Sequence, residues 1–187
     1  MRLSENRPLA VAALAIAVLV SVVISGGGAL RDERAAVERV FYADRGVNAD
    51  LTVRAEAAYN LASLAGRNGL NAPTIDAVSQ AIAALQAAGS IAGKYEADQA
   101  LTRAVEDLYT EMENAGLSVS DASFARKQYT NWKSSGMTIA HSVDEVGAKE
   151  PGRGYNEKAG QFNRTLQGFP AGLIGALTGV GPLELYR

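Results

Sequence analysis

The sequence predicts an all-α protein, in which an N-terminal transmembrane helix precedes an elongated antiparallel bundle of three to four long helices. Hydrophobic residues make up 48% of the chain but aromatic residues only 6%, a composition that favours closely packed helices over a large sheet core. An uncharged apolar run occupies residues 9–29. Beyond it, apolar residues recur at alternating steps of three and four, the spacing of a buried helical or coiled-coil face.

Length, charge and cysteine content exclude several function classes. The 187 residues suit one domain plus an anchor. Eighteen Lys and Arg residues against twenty Asp and Glu residues give a net charge of −2, without the basic excess that phosphate-backbone binding requires, so no nucleic-acid partner is expected. Because cysteine is absent, the chain has no disulfide, thiolate metal site or cysteine nucleophile.

Residues 9–29 are interpreted as a transmembrane anchor. At 1.5 Å per residue, the uncharged run up to Leu30 extends about 33 Å, enough to cross a hydrocarbon core of about 30 Å. The alternative is a cleaved signal peptide, with Arg2 and Arg7 as its positive region and a cut among the small residues 25–29. The run is longer than most signal-peptide cores and lacks a clean Ala-x-Ala, which favours retention.

The orientation of this anchor depends on a nearly balanced charge distribution. Arg2, Arg7 and the amino terminus precede the run, whereas Arg31, Arg34 and Arg39 follow it. We expect a single-pass protein of the cell membrane, with the amino terminus inside and the helical domain outside the cytoplasm.

Breakers divide the remaining chain into predicted elements. A tail covers residues 1–8, the anchor 9–29, the bundle 30–170, and an apolar glycine-rich segment, 171–187, that is expected to pack on the bundle. The first long helix covers 30–66 and is weakened near Gly46. A turn at 67–73, a kink or break at 87–94, a capping box beginning at Ser118 and the Pro151-Gly152 pair mark the other boundaries.

Residues 155–175 form three groups of seven, with apolar residues on one helical face. That face contains Tyr155, Ala159, Phe162, Leu166 and Phe169. We expect its aromatic side chains to be buried against the first long helix, close to Asn60. Pro170 disfavours helix at the preceding residue.

The segment 155–170, YNEKAGQFNRTLQGFP, resembles the C-terminal signature of the LemA family, YN-x2-V-x2-YN-x2-I-x2-FP. Ala159 and Phe162 replace the valine and the second tyrosine. A weaker match, RAEAAYNLA at 54–62, is similar to the family's RADLIPNLV and keeps Arg54 and Asn60. The region 70–150 matches only in helix order, so the chain is interpreted as a divergent member. The resemblance implies an anchored helical bundle of the bacterial envelope, without an agreed molecular activity.

No catalytic, cofactor-binding or metal-binding residue is predicted. Asn156 and Asn163 are expected to bond to a neighbouring helix or to fix its register, with a ligand site as the alternative. Arg54 occupies an apolar position, so it either extends to the bundle edge or pairs with a buried carboxylate, in a polar network with Asn60. His141 lacks the further ligands that zinc requires.

These observations predict a non-enzymatic, membrane-anchored scaffold or interaction protein, with a protein partner or self-association. The alternative is a small-ligand-binding or enzymatic bundle with a polar pocket near Arg54 and Asn60. A third possibility is a secreted bundle released by signal cleavage. The segment 171–187 either covers the end of the bundle or contacts the bilayer or a partner.

Overall fold

The computed structural model describes residues 7–144 and 154–187, and the regular secondary structure of this part of the chain is α-helix alone, without a β-strand. The all-α class is therefore confirmed. The helices are α1 (Arg7–Tyr42), α2 (Val47–Arg67), α3 (Ala72–Ala87), α4 (Ile91–Asn114), α5 (Val119–Asp144), α6 (Tyr155–Gln167) and α7 (Ala171–Thr178). The predicted interruption at Pro151-Gly152 lies outside the described residues.

The chain divides into two compact units. Unit 1 consists of Met1–Glu38 and Ala159–Leu183, and unit 2 consists of Arg39–Lys158 and Glu184–Arg187. Helices α1 and α6 each contribute residues to both units.

Helix α1 runs without interruption through the uncharged segment, past the glycines at 26–28 and into the charged sequence beyond. Its amino-terminal part is long and apolar enough to cross a membrane. Large apolar side chains there are at least half exposed; they are Val11, Leu14, Ile16, Val18, Leu19, Val20, Val22 and Ile24. The predicted boundary near residue 29 therefore lies inside one continuous helix, at the point where exposed apolar residues give way to charged sequence.

In unit 1, α7 lies against α1 where α1 has glycine. A Cβ atom on Gly26 would lie 2.9 Å from Cδ1 of Ile174, and one on Gly27 would lie 2.5 Å from Cγ2 of Thr178. The absence of side chains at these positions lets the two helices approach closely. The buried apolar residues of this unit are Leu30, Val37, Ala159, Phe162, Ile174, Val180 and Leu183.

In unit 2, helix α2 packs against α3, α4 and α5, while α4 also packs against α3 and α5. The apolar faces predicted from the three-four spacing meet there. Fully buried members include Leu51, Ala58, Leu61, Val78, Leu101, Val105, Leu108 and Trp132.

The single helix predicted for 30–66 is wrong in one respect, because the chain breaks between α1 and α2. Gly46 begins α2, and a Cβ atom there would lie 2.6 Å from the carbonyl oxygen of Phe41 and 2.7 Å from that of Val40. Only glycine permits this close return of the backbone. The predicted weakening near Gly46 is thus a complete interruption at 43–46.

The turn predicted at 67–73, the break predicted at 87–94 and the helix start predicted at Ser118 are confirmed. Gly69 adopts a φ of 69° in the turn before α3, and Pro73 lies in the first turn of that helix. The break between α3 and α4 covers residues 88–90. The Ser118 hydroxyl accepts a hydrogen bond from the backbone N–H of Asp121 at 3.1 Å, as expected of a helix cap.

The apolar face predicted for 155–169 is buried in its first half only. Tyr155, Ala159 and Phe162 are at most 1% exposed, but Phe169 is 89% exposed, so its predicted burial is wrong. Helix α6 ends at Gln167, ahead of Pro170, and the helical spacing therefore no longer determines the direction of Phe169. Tyr155 does lie against the predicted first long helix, 30–66, since its ring packs on Phe41 with centroids 5.2 Å apart.

Candidate functional site

A buried ion pair joins α2 to α4 in unit 2. The Nε atom of Arg54 donates to Oδ1 of Asp98 at 2.6 Å, and the two residues are 5% and 6% exposed. Arg54 continues the buried face of α2, and Asp98 continues that of α4. Of the two alternatives for Arg54, pairing with a buried carboxylate is therefore confirmed.

The remaining nitrogens of Arg54 also have protein partners. Nη1 donates to the backbone oxygen of Trp132 at 2.9 Å, and Nη2 donates to Oγ1 of Thr102 at 2.7 Å. The guanidinium carbon lies 3.9 Å from the centroid of the Trp132 ring, within the range of a cation–π interaction. These contacts replace the hydration that a buried charge loses, so the ion pair can be retained in the core.

Gly136 on α5 leaves the space that Arg54 fills. A Cβ atom there would lie 2.5 Å from Nη1 of Arg54. We expect Gly136→Ala to lower the free energy of unfolding by about 1 to 3 kcal/mol, the usual effect of overpacking, because the guanidinium is held by three partners and cannot move aside freely.

Thermal unfolding followed by circular dichroism would measure the effect of Gly136→Ala. Gly66→Ala is the matched control, since Gly66 is also helical but a Cβ atom there has no neighbour within 4 Å. Equal stability of the two variants would contradict the expected crowding of Arg54.

Tyr186, next to the last residue, completes this polar cluster. Its hydroxyl donates to Oδ2 of Asp98 at 3.1 Å. The ring lies near those of Tyr95 and Phe41, with centroids 5.3 and 5.9 Å away. Burial, followed by the nearby Asp98 carboxylate, raises the pKa of Tyr186 well above its ordinary value, so this tyrosine is a stable hydrogen-bond donor at neutral pH.

Glu184 attaches the same terminal segment to the start of α4. Its Oε2 atom accepts hydrogen bonds from the backbone N–H groups of Ile91 at 2.8 Å and Ala92 at 3.3 Å. A carboxylate is favourable there because the first N–H groups of a helix lack partners within the helix. The Tyr155 hydroxyl donates to the backbone oxygen of Glu184 at 2.7 Å.

The two asparagines of the 155–170 signature each hold one backbone residue of the C-terminal segment. In unit 2, Asn156 donates to the oxygen of Tyr186 at 3.1 Å and accepts from its N–H at 2.8 Å. In unit 1, Asn163 donates to the oxygen of Leu183 at 2.9 Å and accepts from its N–H at 2.7 Å. Each side-chain amide therefore pairs with a backbone residue much as a neighbouring strand would.

The prediction that these asparagines bond to a neighbouring helix is confirmed for Asn156, whose Nδ2 also donates to Oδ1 of Asp144, the last residue of α5, at 2.9 Å. It is wrong for Asn163, which pairs with the backbone of Leu183. A helix interior already pairs its own N–H and C=O groups, whereas residues 180–187 are not helical and leave theirs available.

Asn60 does not join the Arg54 cluster. Its amide donates to Oε1 of Gln128 at 3.2 Å. It lines a cavity of about 550 Å³ together with Leu51 and Lys94, whereas Arg54 lines a different cavity of about 410 Å³. The structure therefore does not bring Arg54 and Asn60 into one polar network or one pocket.

The described residues do not assemble a metal site. They contain no group of three or more His, Asp and Glu side chains placed to hold a metal ion, and His141 is exposed.

Among the described residues, the buried Nε1 of Trp132 has no hydrogen-bond partner.

The prediction from sequence missed Asp98, Trp132, Glu184 and Tyr186 as parts of the site. Asp98 carries a recognisable signal, because it lies three residues before Leu101 and so falls on the apolar face of α4. A negative residue on one buried face and a positive residue on another are candidates for a pair. Glu184 and Tyr186 carry no comparable periodic signal.

No protein-family model matches the chain, and neither a curated protein nor a solved structure matches it. The resemblance of residues 155–170 to the LemA signature therefore stays a prediction from the sequence.

Proposed function

We propose that this protein is a LemA-like, single-pass membrane protein of the bacterial cell envelope that acts as a non-enzymatic scaffold or interaction protein. The observation that carries the proposal is the exposure of α1. Eight large apolar side chains between Val11 and Ile24 are at least half exposed, and no charged residue lies among them. Water is an unfavourable environment for such a surface, whereas lipid hydrocarbon is a favourable one.

The packing within unit 2 supports a bundle as the folded part of the scaffold. Helices α2, α3, α4 and α5 are long and connected by short turns, the arrangement from which antiparallel bundles are built. We further propose that this part lies outside the cytoplasm, an orientation that the nearly equal positive charges on the two sides of the anchor permit.

The polar cluster around Arg54 supports a structural role for its charged side chains. Nε, Nη1 and Nη2 of Arg54 each donate to a protein acceptor, and Asp98 accepts from both Arg54 and Tyr186. A small-ligand or enzymatic function near Arg54 and Asn60 is the alternative, and it would require a ligand to replace these partners or to use the separate cavity beside Asn60.

Extraction of cell membranes with alkaline carbonate tests the anchor. The full chain is expected to remain in the membrane pellet at its uncleaved mass. The double variant Leu14→Arg/Val18→Arg should be largely released, because each arginine near the bilayer centre costs about 2.5 to 3.5 kcal/mol. Tyr59→Arg/Val119→Arg is the matched control, since both of these residues are exposed in unit 2, and it should stay in the pellet.

Cross-linking in the same membranes tests the scaffold. The full chain is expected to give discrete cross-linked products that contain either a second protein or a second copy of the chain.

Each experiment has an outcome that contradicts its part of the proposal. Release of the full chain by carbonate, or a shortened mass, contradicts the anchor. Retention with only uncross-linked monomer contradicts the interaction function.

A further inference from the structure

An apolar face of unit 1 outside the proposed anchor is left uncovered. Phe169, Leu173 and Leu177 are 89%, 56% and 63% exposed. Leu173 and Leu177 lie four residues apart on α7 and so share one face, and Phe169 lies two residues before that helix begins. The sequence from 168 to 183 contains no charged residue.

Contacts with α1 place α7 beside the last turns of the uncharged run. Ile174 lies against Gly26, and Thr178 lies against Gly27. Arg31, the first charged residue after the run, donates through Nη2 to the backbone oxygen of Thr178 at 2.8 Å. The end of α7 is therefore level with the first charge on α1, and its earlier residues lie beside uncharged sequence.

Several polar groups at the end of α7 are paired. The N–H of Val180 donates to the oxygen of Gly175 at 2.9 Å, and the Thr178 hydroxyl donates to the oxygen of Ile174 at 2.7 Å. Arg34 donates to the oxygen of Gly181 at 3.1 Å. Paired backbone groups are what a segment needs if it is to enter a lipid layer, because hydrocarbon supplies no hydrogen bonds.

We propose that α7 is a second membrane-contacting element. It inserts Phe169, Leu173 and Leu177 into the bilayer leaflet at the carboxyl end of the anchor in α1. With eight residues, α7 is about 12 Å long and too short to cross the bilayer, so it lies in the interface. Arg31 and Arg34 mark the headgroup level beside it. This inference rests on the proposed membrane anchor and adds a lipid-facing surface to it.

Single-cysteine labelling of the full chain tests this inference, and the cysteine-free sequence needs no background substitution. The variants are Phe169→Cys, Leu173→Cys and Leu177→Cys, each labelled with an environment-sensitive fluorophore and reconstituted into liposomes that contain doxyl-labelled phosphatidylcholine. Leu14→Cys reports on the proposed anchor. Val119→Cys is the matched control, because Val119 in unit 2 is 89% exposed, as Phe169 is.

We expect labels at 169, 173 and 177 to show a blue-shifted emission and quenching by lipid comparable with those at 14, while the label at 119 shows neither. Emission at the three α7 positions like that at 119 would overturn the inference. A blue shift without lipid quenching would also overturn it, since protein would then cover the face. If the label at 14 is itself unquenched, the anchor fails; if only the α7 labels are unquenched, the anchor stands and this inference alone is wrong.

Discussion

Asp98→Ala is expected to lower the free energy of unfolding by about 3 to 5 kcal/mol, because it leaves the buried guanidinium of Arg54 without its counter-charge. Arg54 is only 5% exposed and cannot recover hydration without opening the contacts between α2, α4 and α5. The measurement is thermal or urea unfolding of the full chain in detergent micelles. The fluorescence of Trp132, whose ring lies over the guanidinium, reports the local change.

Two controls show whether this loss comes from the unpaired charge. Asp107→Ala on the same helix removes an exposed carboxylate and should change stability by less than about 0.5 kcal/mol. The double variant Arg54→Met/Asp98→Leu removes both charges and should be more stable than Asp98→Ala, as replacement of a buried pair by apolar residues often is. If Asp98→Ala and Asp107→Ala unfold at the same temperature or urea concentration, the stability of the buried Arg54 guanidinium does not depend on Asp98.

Tyr186→Ala is expected to cost about 3 to 5 kcal/mol, as the loss of a large buried aromatic side chain does. Its ring contributes to the core beside Phe41 and Tyr95, and its hydroxyl satisfies Asp98. We also expect residues 184–187 to become sensitive to carboxypeptidase, because the ring attaches them to unit 2. Arg187→Ala, at the neighbouring exposed position, should leave both stability and digestion unchanged.

Tyr186→Phe separates the ring from the hydroxyl. It keeps the packing and removes one hydrogen bond, so we expect a loss of about 1 kcal/mol. The pKa of Tyr186 is raised in the folded protein above its ordinary 10.0, so the folded state retains the proton that the unfolded chain releases. The contribution is therefore complete below pH 10 and declines as the pH rises further. Tyr186→Phe should show a weaker decline, and an equal decline would contradict the assignment.

The Arg54–Asp98 pair was predicted from the sequence only in part. The position of Arg54 on an apolar helical face predicted either a buried carboxylate partner or an exposed side chain, and the structure contains the partner. The identity of that partner could not be predicted, because several helices carry acidic residues and spacing within one helix does not say which faces meet. Asn60, placed beside Arg54 by the same reasoning, bonds to Gln128 instead.

The structure of the C-terminal region was predicted less well from the sequence. Its glycine-rich composition gave no prediction of α7, which packs with Ile174 against Gly26 and with Thr178 against Gly27 of α1. The three-four spacing predicted burial of Phe169, yet the helix ends two residues earlier. The asparagines were placed correctly on one helical face, and Asn156 does bond to Asp144 of a neighbouring helix, but both also pair with backbone groups of residues 183 and 186, which the spacing did not predict.

The sequence by itself determined the all-α class, the long apolar segment, most helix boundaries and the apolar faces, because these follow from composition, from local spacing and from glycine, proline and capping residues. Only the tertiary structure decided that Arg54 pairs with Asp98, that Asn156 and Asn163 hold the terminal segment, and that Phe169 is exposed. Those outcomes depend on which surfaces meet after folding, and residues far apart in the chain carry no local signal of their distance in space.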